Sequence, residues 1–278
     1  MSKLVDLRYA VVRRQGDRDT QMDRFNIHGS FFKDKGHALF LLYDGHGDER
    51  FSKHAKEHLA NLIENDIEFT AKNYEQAFIN AFKNEDELLK LTFGQTFGGT
   101  TATVALFFKF SNVFYVANVG DSTAVLGSVS GPKPEAIPVS YDDKVNDFRE
   151  FSRLASASAK IRRGRLIRPG HTVNMTRALG DFDFKAPFTP SGKDWISSTP
   201  HTFKINLTPY EDEFLIMASD GLWNVYDEQT VVECVAKSLE CGYDVYKIAN
   251  VLADAAVNSA KPSDNVTVMV IFFVWDKS

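Results

Sequence analysis

Residues 100–127 read TTATVALFFKFSNVFYVANVGDSTAVLG and contain three short apolar runs in close succession, at 100–108, 113–118 and 123–127. The runs are rich in β-branched and aromatic residues, which favours strands over a buried helix. Strands that follow one another this closely pair as antiparallel hairpins, because a parallel pair needs a long crossover connection. This stretch therefore predicts an antiparallel sheet.

Outward from this stretch, strand-like and helix-like segments follow one another along the chain. Further apolar runs of strand length lie at 4–12, 38–43, 213–218 and 266–275. Apolar residues recur at the three- and four-residue spacing of amphipathic helices at 50–66, 74–91, 227–240 and 243–259. Asp227 suits the N-cap of one helix, and Gly242 suits the break before the next. The order of these segments predicts a layered α+β domain.

The domain organisation is predicted to be simple. No Ser/Gly-rich or Pro-rich linker and no internal repeat divides the sequence, so we expect one domain over residues 1–278. Residues 141–172 interrupt the pattern of strands and predict an inserted, flap-like segment made of a helix and a loop. The loop carries a basic cluster, for which a solvated surface is the simplest interpretation: Arg162, Arg163, Arg165 and Arg168.

Composition excludes several classes of protein. The chain is 44% hydrophobic and 25% charged, which is typical of a globular domain and not of a disordered one. With 32 Lys and Arg against 37 Asp and Glu, the net charge of −5 argues against nucleic-acid binding. No apolar run has the length of a membrane span, and the N-terminus has no signal-like core. The two cysteines imply no disulfide framework. We therefore expect a cytoplasmic monomer, with the nucleus as the alternative location.

Four carboxylates stand at the ends of predicted strands. Asp44, Asp121 and Asp220 each follow an apolar run, and Asp264 lies just before the last one. If these strand ends meet, the carboxylates repel one another unless cations lie between them. Oxygen ligands favour Mg²⁺ or Mn²⁺ over zinc. Asp is also common in turns and caps, so the pattern suggests a metal site without establishing it.

A second metal signal lies nearby in the sequence. His54 and His58 bracket Glu57 in the H-x-x-E-H pattern of inverted zinc peptidases. The same segment carries Lys53 and Lys56, and no downstream residue stands out as a further ligand. A solvated helix face is the favoured interpretation, and a zinc peptidase is a distant alternative.

Six motifs in order then identify a family. They resemble those of the metal-dependent Ser/Thr protein phosphatases of type 2C and cover nearly the whole chain. The motifs are YDGHGD (43–48), GGTTAT (98–103), ANVGDS (117–122), TRALGD (176–181), ASDGLWNV (218–225) and SDNVTV (263–268). The resemblance implies two antiparallel β-sheets in a central sandwich flanked by helices, with four layers in the order αββα. It also implies hydrolysis of phosphoserine and phosphothreonine in a phosphoprotein substrate.

The resemblance assigns metal ligands for two Mg²⁺ or Mn²⁺ ions and a weaker third ion. Asp44 corresponds to the carboxylate that bridges the two ions, and the Gly45 carbonyl to a ligand of the second. Asp220 and Asp264 correspond to the other ligands of the first ion. Asp121 corresponds to the carboxylate that holds the third ion.

The resemblance also assigns residues around those ions. Arg18 corresponds to the phosphate-binding arginine and His46 to the proposed general acid. Asp23 matches the acidic residue five positions after that arginine, which belongs to the metal site. Asn265 matches the polar partner beside the last Asp ligand. A mechanism of this kind needs no phosphoenzyme nucleophile, which accounts for the lack of a convincing catalytic Cys or Ser.

Several positions depart from the family pattern. Met22 replaces the Glu that steadies metal-bound water, and Asn224 replaces the second carboxylate for the third ion. The usual His-Lys-Pro stretch is absent, with residues 141–144 in that region. We expect an active enzyme with weakened metal binding and turnover. The alternative is a pseudophosphatase that acts as a binding or scaffold protein. The basic cluster gains a second interpretation, as a site that attracts acidic phosphoprotein segments.

Overall fold

Two five-stranded antiparallel sheets form the centre of the protein in a computed structural model that describes residues 2–32, 36–259 and 261–276. The first sheet has the strand order β1 (Leu4–Arg14), β16 (Val266–Trp275), β15 (Asp212–Ala218), β8 (Thr123–Ser128) and β9 (Glu135–Pro138). The second has the order β14 (His201–Asn206), β7 (Val113–Val119), β6 (Ala102–Phe108), β3 (His37–Tyr43) and β2 (Arg24–His28). The antiparallel pairing predicted from residues 100–127 is present between β6 and β7.

The central strands are buried on both faces. In β3, Phe40 and Leu42 pack into the core between the two sheets, whereas Leu39 and Leu41 pack into the core under the helices. Because successive side chains of a strand point to opposite faces, a strand covered on both sides reads as one continuous apolar run. This burial explains the apolar runs found in the sequence.

Helices cover the outer face of each sheet. Helices α1 (Glu49–Glu64) and α3 (Tyr74–Phe93), with the short α2 (Ile67–Thr70), pack on the second sheet. Helices α6 (Glu228–Glu240) and α7 (Val245–Ser259) pack on the first. The side chain of Asp227 caps α6 by accepting from the Thr230 N–H at 2.8 Å, and Gly242 has a φ of +75°. The predicted four-layer αββα sandwich is confirmed. Within the described residues, no helix is long and apolar enough to span a bilayer.

Short elements join the layers at one end of the sandwich. Strands β4 (Gly45–His46), β5 (Gly99–Thr100) and β13 (Leu179–Gly180) form a small sheet, and α5 (Asp220–Trp223) follows β15. Three strands of the large sheets, β2, β9 and β14, were missed from the sequence. Each lies at a sheet edge and is at most half-buried, so each lacks an apolar run.

The inserted segment is more ordered than the sequence suggested. It contains α4 (Phe148–Ser156) and a three-stranded antiparallel sheet of β10 (Ile161–Arg162), β11 (Arg165–Arg168) and β12 (His171–Val173). The prediction of a loop is therefore wrong for residues 161–173, which form this sheet. Arg163 and Gly164 both have positive φ and form a two-residue hairpin turn, whose Arg-rich, exposed strands give no apolar signal. A separate core that includes Leu166 and Trp195 lies beneath.

Candidate active site

The four strand-end carboxylates line one cleft of about 520 Å³. Strands β3 and β7 end there in the second sheet, and β15 ends beside the start of β16 in the first. The cleft therefore lies at one end of the sandwich, between the two sheets. Its lining includes the predicted metal ligands Asp44, Gly45, Asp121, Asp220 and Asp264, together with Arg18 and His46.

Two other motifs hold the backbone of Asp44. Its N–H donates to Thr101 Oγ1 at 2.9 Å, and the Thr101 N–H donates to the Asp44 carbonyl at 2.9 Å. Thr101 Oγ1 lies 2.8 Å from Ser122 Oγ, next to Asp121. These contacts link YDGHGD, GGTTAT and ANVGDS, and they hold Asp44 and Asp121 at the same end of the sheet.

Burial and mutual repulsion disfavour the charged form of these carboxylates. Burial and then the charges of Asp23 and Asp220 raise the pKa of Asp44 well above its usual range. Burial, followed by the charges of Asp220 and Asp142, raises the pKa of Asp121 to about 7. Burial and the charge of Asp264 raise the pKa of Asp220 as well. A group of oxygen donors that repel one another in this way fits divalent cations.

Asp23 adds a fully buried carboxylate to the group. Its Oδ2 accepts from Thr267 Oγ1 at 2.6 Å and from Ser219 Oγ at 3.0 Å. Its Oδ1 is buried and finds no hydrogen-bond donor in the part of the chain that the structure describes. Burial raises the pKa of Asp23 to about 6 despite the two hydroxyl donors. An unpartnered carboxylate oxygen at this position fits a cation or a water bound to one.

Close backbone packing holds Arg18 at the rim. Gly16 has a φ of +63°, and a Cβ there would lie 2.2 Å from the Asp264 carbonyl oxygen. Asp17 Oδ2 accepts from the Ser263 N–H at 2.8 Å. Arg18 Nη2 lies 2.7 Å from Asp264 Oδ2, while 62% of the Arg18 side chain stays exposed. The loop thus places a guanidinium beside a carboxylate that lines the cleft.

Asn265 holds the segment that carries Met22. Its Oδ1 accepts from the Met22 N–H at 2.8 Å, and its Nδ2 donates to the Gln15 and Thr20 carbonyls at 2.7 and 3.0 Å. The thioether side chain of Met22 lines the cleft where the family pattern has a carboxylate. The local scaffold is therefore intact around the replaced residue.

His46 pairs with a buried aspartate that had no role from the sequence. His46 Nε2 lies 2.8 Å from Asp181 Oδ2, and Asp181 is completely buried. Burial alone would lower the pKa of His46, but the charge and hydrogen bond of Asp181 reverse the shift and raise it. Asp181 is the last residue of the TRALGD motif. The motif therefore drew attention to this residue, but the sequence did not show that it pairs with His46.

Two asparagine side chains donate hydrogen bonds to the carboxylates of the cleft. Asn224 Nδ2 donates to Asp220 Oδ2 at 2.9 Å, and Asn174 Nδ2 donates to Asp121 Oδ2 at 3.1 Å. Each amide occupies a carboxylate oxygen without adding negative charge. The region predicted to hold a third ion therefore has fewer charged ligands than the family pattern implies.

The basic cluster divides between the cleft and the flap core. Arg165 lines the cleft, and Arg162 and Arg163 are exposed near the hairpin turn. Arg168 instead donates to the Phe188 carbonyl at 2.8 Å and lies over the Trp195 ring at 5.7 Å. Arg168 thus packs on the flap.

A family model and several curated proteins match most of this chain. The family model for protein phosphatase 2C matches residues 7–266. "Protein phosphatase 2C homolog 2" of Schizosaccharomyces pombe is 31% identical over 280 residues, which cover 96% of this chain and 73% of the relative. "Protein phosphatase 2C homolog 3" of the same organism is 31% identical over 84% of this chain and 56% of the relative.

A solved structure shows the same fold. The crystal structure of a serine-threonine phosphatase 2C from Toxoplasma gondii has 18% sequence identity and a TM-score of 0.83, and 99% of each chain is covered. Several curated relatives are longer than this chain, which spans 53 to 56% of the length of four of them. The family match, which covers most of the chain, is nevertheless clear: the chain belongs to the protein phosphatase 2C family of metal-dependent phosphoprotein phosphatases.

Proposed function

We propose that this chain hydrolyses phosphoserine and phosphothreonine in proteins at a centre of two Mg²⁺ or Mn²⁺ ions. The observation that carries the proposal is the group of mutually repelling carboxylates, with a guanidinium at its rim, around one cleft. When bound, two ions of this kind activate a water as the nucleophile and balance charge on the phosphate. The residues that would hold them all supply hard oxygen ligands.

The ligand roles follow the family pattern, and the presence of all these residues in one cleft supports them. Asp44 would bridge the two ions, and the Gly45 carbonyl would complete the second. Asp220 and Asp264 would hold the first ion, and Asp121 a weak third. A Cβ on Gly45 would lie 2.6 Å from Ser52 Oγ, so only glycine fits this close approach to α1.

Asp23 would support the metal site from the buried side. The hydroxyls of Thr267 and Ser219 hold its Oδ2 in place, which leaves Oδ1 to accept from a water or bind a cation. Asp23 would thereby hold a cation, or a water bound to one, on the buried side of the site.

Arg18 would bind the substrate phosphate. A guanidinium presents five N–H donors in a rigid fork that matches phosphate oxygens, and only Nη2 of Arg18 pairs with Asp264 among the described contacts. The exposure of the Arg18 side chain leaves it accessible from the cleft. Its positive charge would balance the equatorial oxygens as the bond to the leaving group breaks.

His46 would protonate the leaving alkoxide. The Asp181 carboxylate holds the ring and raises the pKa of His46, which favours the protonated form that a general acid needs. Proton transfer of this kind accelerates a reaction by about 10²–10⁴-fold. Asp181 would act as a positioning residue because its own contact is with His46.

Hydrolysis of a phosphothreonine peptide, titrated with Mn²⁺ from none to several millimolar, tests the proposal. Asp220→Asn should abolish metal-dependent phosphate release. Asp212→Asn is the matched control, because Asp212 lies buried at the opposite end of the same strand β15. The proposal fails if both variants keep wild-type activity, or if the folded wild type releases no phosphate.

The second candidate is a pseudophosphatase scaffold, favoured by Met22 and Asn224. Isothermal titration with Mn²⁺ separates the two functions. If the folded protein does not bind Mn²⁺ and does not release phosphate, the scaffold function is supported. The four carboxylates argue against the scaffold, because clustered carboxylates with no bound cation destabilise the folded state and a scaffold does not need them.

Substrate choice would involve the flap. Arg165 lines the cleft, and Arg162 and Arg163 are exposed on the hairpin that carries it, so together they would attract acidic phosphoprotein segments. Replacing all three with Gln should raise the KM for an acidic phosphopeptide and leave that for a neutral one unchanged. An unchanged KM for the acidic peptide would contradict this role. The monomeric state and the cytoplasmic location stay predictions.

A further inference from the structure

A second group of potential metal ligands lies between α1 and α3, away from the residues of the cleft. One ring nitrogen each of His54 and His58 and one carboxylate oxygen of Glu85 all lie within 4.8 Å of one another. His54 Nδ1 is 2.8 Å from Glu85 Oε1, and the two imidazole rings stack with centroids 4.0 Å apart. The sequence favoured a solvated helix face here, but only 14% of the His54 side chain is exposed. The tertiary structure turns this face toward α3.

Glu85 is a buried carboxyl group with unused bonding capacity. It is completely buried, and its Oε2 has no hydrogen-bond partner among the residues that the structure describes. Burial and the neighbouring charge of Asp86 raise its pKa to about 8. The hydroxyl of Tyr43 is also buried, and the Glu85 charge contributes to raising the Tyr43 pKa after burial itself. Leaving such a carboxyl group half-satisfied in a core is costly.

The two histidines are in a form that can bind a metal. His58 Nδ1 lies 2.8 Å from the His54 carbonyl oxygen, which can only accept, so Nδ1 carries a proton and Nε2 is the ring nitrogen that can bind a metal. Burial and then the charge of His58 lower the pKa of His54, which favours its neutral form. A neighbouring cavity of about 300 Å³, lined by His58, Asn61 and Asn84 among others, gives solvent access.

We propose that His54, His58 and Glu85 form a second metal site, selective for zinc or a similar divalent transition metal. Two imidazoles and a carboxylate are a typical zinc ligand set, whereas the cleft offers oxygen ligands alone. Metal–ligand bonds of about 2.0–2.2 Å hold such ligands within about 4 Å of one another, so small side-chain rotations bring the three ligands to one ion. Water from the neighbouring cavity would supply the fourth ligand of a tetrahedral site. The metal replaces the proton shared by His54 and Glu85, and that proton leaves to solvent.

The site has a structural role, because it joins two helices that cover the second sheet. Glu57, the residue that would act as the base in an H-x-x-E-H peptidase, is exposed on α1 and is not a member of the group. The third ligand comes from α3 instead. A bound ion would cross-link α1 to α3 and stabilise the folded state by mass action.

Metal-stripped protein titrated with Co²⁺, and separately with Zn²⁺, tests the inference. In the wild type we expect one tetrahedral Co²⁺ per chain, recognised by its intense visible absorption and distinct from Co²⁺ held by the oxygen ligands of the cleft. We also expect a rise in Tm over the Zn²⁺ concentrations that displace this Co²⁺ signal. His58→Ala and Glu85→Gln should each weaken this binding by at least about ten-fold and remove the rise in Tm. Glu57→Gln is the matched control on the same helix and should bind as the wild type does.

The result is distinguishable from binding in the cleft. Asp220→Asn should keep the tetrahedral Co²⁺ signal, and Mn²⁺-dependent hydrolysis by His58→Ala would show that this variant is folded. Unchanged Co²⁺ spectra and affinity in both His58→Ala and Glu85→Gln would overturn the proposal. Loss of binding in Glu57→Gln, or absence of a tetrahedral signal in the wild type, would overturn it as well.

Discussion

Two acidic groups in this molecule differ in what balances their charge. In the flap, Glu150 is buried, and its carboxylate lies 2.6 Å from Arg153 Nη2 and 2.7 Å from Arg177 Nη2. Burial would raise its pKa, but the hydrogen bonds of His201 and Arg177 and the Arg charges lower it strongly. In the cleft, burial and the charges of neighbouring carboxylates both raise the pKa of Asp44 well above its usual range. The flap carboxylate Glu150 is paired with arginines of the chain, whereas Asp44, Asp121 and Asp220 of the cleft form no ion pair with any described residue.

The difference separates a structural role from a binding role. Asp143, Glu150 and His201 have the spacing of a metal site, yet Arg177 already lies between the flap and β14 as their cation. Within the described part of the chain, Arg18 is the cation that pairs directly with one of the four carboxylates of the cleft, and Lys144 nearby pairs with Asp142 at 2.9 Å. Charged groups that the fold leaves unbalanced are maintained for a ligand, because they cost stability in its absence.

The largest effect is expected for Asp44→Asn. Loss of this carboxylate should reduce metal-dependent phosphatase turnover by at least about 1,000-fold, which corresponds to about 4 kcal/mol of transition-state stabilisation. The same change should raise the Tm in EDTA, because it removes repulsion from the cleft. Phosphopeptide kinetics and thermal unfolding measure the two effects. If the variant is less active and also less stable in EDTA, the carboxylates of the cleft do not destabilise the metal-free protein, and the contrast with the flap is wrong.

In the flap, the corresponding change should act on stability. Glu150→Ala leaves Arg153 and Arg177 without their shared carboxylate and should lower the free energy of unfolding by about 3 kcal/mol. Urea denaturation measures the loss, and limited proteolysis should cut first within the flap. Metal affinity, followed by Mn²⁺ titration, should stay unchanged. A large loss of Mn²⁺ affinity would show that the two groups are coupled.

The pH dependence of stability should have opposite signs in the two groups. Asp23 and Asp121 have pKa values raised to about 6 and about 7, so without metal the folded state retains protons that the unfolded chain loses. Stability in EDTA should therefore fall by about 6 kcal/mol as the pH rises from about 4 to about 7, with a slightly larger share from Asp121 than from Asp23. The contribution of Glu150, with its lowered pKa, is present above about pH 4.5 and lost as the pH falls.

Urea denaturation in EDTA across this range measures the slope. Asp121→Asn should flatten it, and saturating Mn²⁺ should remove it, since bound cations keep the carboxylates ionised. A stability in EDTA that rises from pH 5 to pH 7 would contradict the assignment of uncompensated charge to the cleft.

The smallest effect is expected for Met22→Glu, which adds a carboxylate to the cleft. Half-saturation of activity should need several-fold less Mn²⁺, an effect of about 1 kcal/mol. Met22→Gln has a similar length without the charge and should leave the Mn²⁺ requirement unchanged. Equal behaviour of the two variants would show that the charge missing at residue 22 does not limit metal binding.

Sequence patterns predicted the long helices and the central strands well, but they missed short strands at the edges of the sheets. Strand β3 was recognisable because burial on both faces makes it apolar throughout. The edge strands β2 and β14 were missed because hydrogen bonding to one neighbour imposes no apolar pattern on them. The flap hairpin was missed for the same reason, since its strand Arg165–Arg168 holds its place through Leu166 and through side-chain contacts to distant residues.

The sequence by itself determined the apolar runs that predict a layered α+β domain and the carboxylates at the ends of those runs, because both depend on local residue order. The two-sheet sandwich was implied by the resemblance of the motifs. Only the tertiary structure decided which charges are balanced. The pairing of His46 with Asp181 joins residues 135 positions apart, and that of Arg177 with Glu150 joins residues 27 apart. The same holds for Glu85, which reaches His54 only because α1 and α3 pack together. Electrostatic balance is a property of distances in space, and those distances exist only once the layers have packed.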